Sequence, residues 1–216
     1  MLNFLEELFL LALDDDRGVV KEYPNAELDY AMAGAALMEL ALANRIDTDP
    51  QSLFVVSTVP TGNTMLDNLL KKISAVPDPK PIQFWLESLV QLGPEIRQQV
   101  LAHLIAKKVL KQEKQRILWV FAVRRYPVVN DHEHKEVKAR LREVILSSQI
   151  PDPRDLVLIS LVQACHLFWE LFSEDELERV QPRIAALAKM DLIGQSVARS
   201  IRQVQESIAL VMRCNM

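Results

Sequence analysis

The stretch Tyr30–Ala43 restricts the fold of this chain more than any other. It is apolar throughout except for Glu39, and it carries the small residues Ala31, Ala33, Gly34, Ala35 and Ala36. Broken by a charge and short of the length a bilayer requires, it does not read as a membrane span. A helix this apolar on every side belongs at the centre of a packed body, where small residues let neighbouring helices approach closely. The remaining chain must therefore supply helices to surround it.

Local signals place those helices. Asn3 followed by Glu6 forms a capping-box pattern, predicting a first helix from Phe4 to about Leu13. The segment LDDDRGVV reads as a turn entering a short strand, and Asn25 is placed to cap the central helix. Arg45–Asp47 and Leu53–Val56 read as two short strands. Helices are expected at Thr64–Ser74, Ile82–Gln91 and Pro94–Lys107, the last with proline in the first turn, where a missing N–H costs little. Val109–Glu113 and Ile117–Val123 flank a polar EKQR and read as a β-hairpin.

Four more helices are expected at Glu133–Ser148, Arg154–Phe172, Glu174–Lys189 and Ile193–Met212. Ser173 and Glu176 make a second capping box, and Pro151, Pro153 and Pro182 are placed near helix ends or in first turns. With 5 glycines and no flexible linker, residues 1–216 read as one mainly α multi-helix domain with a small hairpin and short-strand component.

Charge is distributed unevenly along the chain. Residues 1–50 hold eleven acidic and three basic side chains, whereas residues 97–125 hold eight basic and one acidic. The overall charge of -4 excludes a protein that coats nucleic acid through a global positive field. The basic segment contains Arg97, Lys107, Lys108, Lys111, Lys114, Arg116, Arg124 and Arg125. It reads either as a solvated face or as a docking surface for anions, since each Lys or Arg beside an anionic membrane contributes about 1 kcal/mol.

No catalytic, cofactor or metal constellation emerges. His132 and His134 have i, i+2 spacing inside Asp131–His134, which reads as the acidic, polar start of a helix rather than a metal site. Cys165 and His166 are neighbours that point about 100° apart on a helix, so they read as a buried thiol beside a packed or partly exposed imidazole. Pro60–Thr64 lacks the lysine and glycine spacing of a phosphate loop and reads as a turn and cap. Asp14–Asp16 lacks calcium-loop spacing. Trp85, Trp119 and Trp169 are scattered singly, as core packing places them. Two cysteines build no disulfide framework and suit a reducing compartment, so the chain is expected to be cytoplasmic. Glu6 and Glu7 interrupt the apolar amino terminus, which therefore reads as a core helix and not a signal peptide.

Five ordered blocks resemble the Golgi phosphoprotein 3 family of lipid-binding adaptors and its bacterial relatives. They are Glu6–Gly18, Ala33–Ile46, Pro60–Ile73, Lys107–Pro127 and Pro151–Ala164. The resemblance spans essentially the whole chain. It implies a mostly helical domain without enzymatic activity, a hairpin used in self-association, and peripheral binding to phosphatidylinositol 4-phosphate on cytosolic membrane faces. Because the chain starts almost directly on the first block, it is similar to the bacterial members.

In the eukaryotic members one tryptophan and three arginines read the headgroup. The resemblance lays one arginine on Arg97 and the other two on Ala33 and Pro94. The tryptophan falls on Tyr23 counted forward from Gly18, or on Pro24 counted backward from Gly34. The expected site is therefore Arg97 with Tyr23 and Lys21, surrounded by the basic segment, facing an anionic phospholipid headgroup. The alternative is a protein-interaction module working through the 109–123 hairpin, as a homo-oligomer or with a partner chain. An enzyme using His132 and His134 would require bound metal.

Overall fold

The computed structural model describes residues 2–14, 19–20, 26–117, 121–129 and 131–214. Helix α1, Phe4–Leu11, begins at the expected capping box: Asn3 Oδ1 accepts the Glu6 N–H at 2.9 Å and Glu6 Oε2 accepts the Asn3 N–H at 2.9 Å. The helix is buried on every side, Glu6 and Glu7 included. Two short antiparallel strands follow, β1 (Leu13–Asp14) and β2 (Val19–Val20).

Helix α2, Glu27–Leu42, is the central helix that composition required, and α1 packs against it. Its amino end differs in detail, because Ala26 occupies the cap position with a left-handed φ of 56° and Asn25 lies outside the described residues. A left-handed residue, Asn44, turns the chain into the antiparallel pair β3 (Ile46–Thr48) and β4 (Leu53–Val55).

The Asn63 side chain accepts from the N–H groups of Met65 and Leu66 and starts α3, Thr64–Ser74. Helices α4 (Ile82–Val90) and α5 (Gly93–Ala106) then pack on α2, with Pro94 in the first turn of α5 as expected.

The hairpin is displaced from its expected place. Its strands are β5 (Glu113–Ile117) and β6 (Phe121–Arg125), so Glu113–Arg116 is strand and not turn. The reason is that Val109 and Leu110 belong to the buried core, and Leu110 bridges to Val128 at the hairpin's root. Their apolar signal marked core anchoring.

The carboxy-terminal half contains α6 (His132–Leu146), α7 (Pro153–Ala164), α8 (Glu174–Ala188) and α9 (Leu192–Cys214). Helices α7 and α9 both pack against α2, and α9 also packs against α4. The single helix expected over 154–172 is broken. His166 adopts a left-handed φ of 55°, and a 3-10 turn, Leu167–Glu170, carries Leu167 and Phe168 into the core. Periodicity does not separate one long helix from two pieces whose apolar faces both point inward.

Pro182 is another correction, since it lies inside α8. The buried face formed by Val180, Ile184 and Leu187 holds that helix together despite the missing N–H. Trp85 is buried as expected, whereas Trp169 is 60% exposed on the 3-10 turn, and Trp119 lies outside the described residues.

Candidate functional site

Arg97 lies near the start of α5 and Asp29 in the first turn of α2. The packing of α5 on α2 brings them together: Arg97 Nη1 donates to Asp29 Oδ1, with the arginine side chain 31% and the carboxylate 15% exposed. Gly93 makes this approach possible, because a Cβ there would overlap the Asp29 carboxylate. Arg97 also lines a pocket of about 410 Å³ along α5. Gln98, Leu101 and Ile105 share that α5 face, while Phe9 comes from α1 and Gln112 and Tyr126 come from the hairpin root. The pocket thus combines mostly apolar walls with Arg97.

The other basic residues do not converge on Arg97. Lys107 and Lys108 stand at the opposite end of α5, about 15 Å away at 1.5 Å per residue. Lys107 Nζ lies 2.7 Å from Glu6 Oε2, so much of its charge is neutralised within the fold. Lys108 is exposed, with a left-handed φ of 59°. Lys111 pairs with Glu113 at 2.6 Å. In the hairpin, register sets Lys114 against Arg124, Glu113 against Arg125 and Arg116 against Ala122. The side chains of Lys114, Arg116 and Arg124 lie outside the described residues, as do Lys21 and Tyr23 entirely. Ala33 is fully buried and Pro94 stands in the first turn of α5, so Arg97 alone occupies an arginine position of the resemblance.

Sequence reasoning missed Asp29 and a buried ionic cluster. Arg140 on α6 donates to Glu7 at 3.1 Å and to Asp155 at 2.9 Å. Arg154 on α7 lies 3.4 Å from Glu7 and 3.7 Å from Glu39, donates to the Leu2 carbonyl at 2.7 Å, and stacks on the Phe4 ring. Burial pushes the carboxyls of Glu7 and Asp155 upward, with the two arginines opposing it. One signal was available: two adjacent carboxylates in an otherwise apolar helix require cationic partners. The cluster fastens α1 to α6 and α7, and none of its residues lines the α5 groove.

The alternative chemistries separate in space. Cys165 Sγ donates to the Glu27 carbonyl at 3.4 Å, and burial pushes the thiol far above its ordinary range, while His166 is exposed. His132 is exposed and lies 3.9 Å from Glu136, whereas His134 is buried. These pairs of neighbours do not share a site.

Comparison with known proteins gives a consistent picture. The family described as Golgi phosphoprotein 3 (GPP34) matches residues 4–204. Vacuolar protein sorting-associated protein 74 of Eremothecium gossypii is 26% identical over 171 residues, covering 69% of this chain and 50% of that protein. The chain therefore spans about half the length of this curated relative. Among the described residues no helix is long and apolar enough to cross a membrane.

Proposed function

The chain belongs to the Golgi phosphoprotein 3 family, and from that premise we propose that it is a non-enzymatic adaptor that docks peripherally on a membrane by binding anionic lipid headgroups. The observation that carries this reading is the partly exposed Arg97 lining a groove along α5 whose other walls are mostly apolar. A partly exposed guanidinium suits a phosphate, which it can bind through two parallel hydrogen bonds. Lys21 and Tyr23 are the further headgroup contacts of this proposal. Lys108 and the hairpin cations add long-range attraction that salt screens. Such a protein would work on the cytosolic face of a membrane.

The test is co-sedimentation with vesicles of graded anionic lipid at increasing salt. Binding that rises with anionic content, falls with salt and weakens in Arg97→Gln is the expected result. No binding to acidic vesicles even at low salt overturns the reading.

Self-association is a second reading favoured by a separate observation. Among the described residues β5 and β6 pair only with each other, so both outer edges of the ribbon are available to another strand. Replacing 113–125 by a short turn is expected to abolish concentration-dependent oligomers in light-scattering chromatography. Oligomers that persist in that variant remove the hairpin from this role.

A further inference from the structure

We propose that the groove between β4, the end of α3 and α4 is a docking site for an extended, proline-rich segment of a soluble partner chain, with a basic residue beside its prolines. This inference deepens the adaptor reading above by naming what the protein recruits, and it concerns the end of the domain remote from Arg97.

The groove encloses about 380 Å³, within the range of roughly 300–1,000 Å³ seen for ligand pockets. Phe54, Val55, Val76, Pro77, Pro79 and Trp85 stand in its walls, and Asp78 is the only charged residue that lines it. Trp85 is 4% exposed, yet none of the described residues accepts a hydrogen bond from its indole Nε1–H. A buried donor without an acceptor costs free energy that a ligand carbonyl recovers. The Phe54 ring is exposed in the wall, and Phe84, edge-on to Trp85 at 5.1 Å, is exposed as well. A turn of these rings, a change common at interfaces, is the adjustment that admits a ligand to the indole.

Side chains, and not an open strand edge, must recognise the occupant. Leu53 of β4 already donates its N–H to the Lys80 carbonyl at 2.8 Å, so the ribbon is closed at this point to an added strand. A polyproline II segment meets the remaining requirements. It has no internal hydrogen bonds, so its carbonyls are free to accept, and its preformed shape lays rings against aromatic walls at little entropic cost. Asp78 is exposed, and strand register sets the exposed Asp47 beside Phe54 on one face of the ribbon. These carboxylates suit a cation on the ligand, whereas Lys80 is not part of the lining.

Position in the fold gives the site its use. Asp29, which holds Arg97, lies in the first turn of α2, and the chain leaves α2 after Leu42 to enter β3. Leu42 is thirteen residues beyond Asp29 along the helix, roughly 20 Å at 1.5 Å per residue. A partner in the groove therefore does not compete with an anion at Arg97.

The test titrates the full ¹⁵N-labelled chain, without vesicles, with decaproline and with the acetylated peptide Arg-Pro-Leu-Pro-Pro-Leu-Pro. The indole Nε1–H signal that is missing in Trp85→Phe should move downfield as the arginine peptide binds. Trp85→Phe and Phe54→Ser should each weaken binding about tenfold. Asp78→Asn should remove most of the advantage of the arginine peptide over decaproline. If Trp85→Phe does not fold, the exposed Phe54 supplies the affinity test and contacts with Phe84 assign the indole signal.

No shift of the Trp85 signal at millimolar peptide overturns the inference. So does an equal response to a peptide with alanine in place of every proline, or full affinity in Phe54→Ser. Acidic vesicles separate this site from the lipid reading. Peptide binding in a protein that ignores vesicles leaves the inference standing while the lipid reading fails, and vesicle binding without peptide binding overturns the inference alone. Displacement of the peptide by acidic vesicles also overturns it, because the two sites would then not stand at opposite ends of α2.

Discussion

Lys107 places its ammonium 2.7 Å from Oε2 of Glu6, a carboxylate 1% exposed in the first turn of α1. The same oxygen accepts the Asn3 N–H of the capping box. A residue of the basic segment thus completes the cap of the first helix from 101 residues along the chain.

Lys107 and its neighbour Lys108 should therefore behave differently. Lys107→Ala leaves Glu6 without its cation and is expected to destabilise by about 1–2 kcal/mol, discounted for the lysine's exposure. Thermal melting should fall by about 2–8 °C. Lys108→Ala should change stability by less than about 0.5 kcal/mol. It should instead weaken attraction to acidic vesicles at low salt.

Arg154 bridges Glu7, Glu39, the Leu2 carbonyl and the Phe4 ring. Arg154→Ala is expected to cost about 3–5 kcal/mol in urea unfolding, because Glu7 stays buried with one cation fewer. Arg154→Lys should fall between the two, since an ammonium keeps the charge but loses the planar fork and the stacking.

Gly34 is the contact point of the central helix. A Cβ there would lie 2.5 Å from Val197 Cγ2 and 3.0 Å from Leu161 Cδ2. The gain in helix propensity from Gly34→Ala, about 1 kcal/mol, is opposed by overpacking worth about 1–3 kcal/mol. Valine is stiff about χ1, so the clash should win and the melting temperature should drop. An equal or higher melting temperature would show that α9 shifts at little cost.

Two carboxylates should give stability opposite pH slopes. Glu176, bonded to Arg142 and to the Ser173 backbone, titrates at about 2 against an ordinary 4.5. It binds fewer protons folded than unfolded, so its contribution is present above 4.5 and is lost as pH falls toward 2. Asp191 is raised by burial above its ordinary 3.8, although Ser160 and the backbone N–H groups of Ile193 and Gly194 oppose the shift. It binds more protons folded, so it lowers stability as pH rises from 3.8 through its folded value. Melting curves from pH 2 to 7 should show Glu176→Gln losing most at neutral pH and converging with the unmodified chain near pH 2. Asp191→Asn, which retains a capping oxygen, should lack the downward contribution.

Much of the fold was legible because its signals are local. Both capping boxes, the Asn63 cap, and Pro94 in the first turn of α5 involve residues within one helical turn of each other. Errors arose where a distant partner overrode a local pattern. Val109 and Leu110 looked like strand and were taken by the core, Pro182 looked like a terminus and was carried by a buried face, and Trp169 looked like core and stands in solvent.

The candidate site was legible only as far as Arg97. That a basic residue at that position borders a groove depends on how α1, α5 and the hairpin root pack, and Asp29 carries no mark in the sequence as its partner.

A mainly helical body around one apolar, small-residue helix follows from local residue order, because periodicity and caps act over three or four residues. Which charges are neutralised inside the fold follows from how the helices pack. Lys107 meets Glu6, Arg97 meets Asp29 and Arg140 meets Glu7 across long stretches of chain. The basic segment, uniform in sequence, thereby becomes one guanidinium held at a groove, one lysine committed to a helix cap, and a hairpin anchored by Val109 and Leu110. Coulomb attraction depends on distance in space, and sequence order does not record that distance.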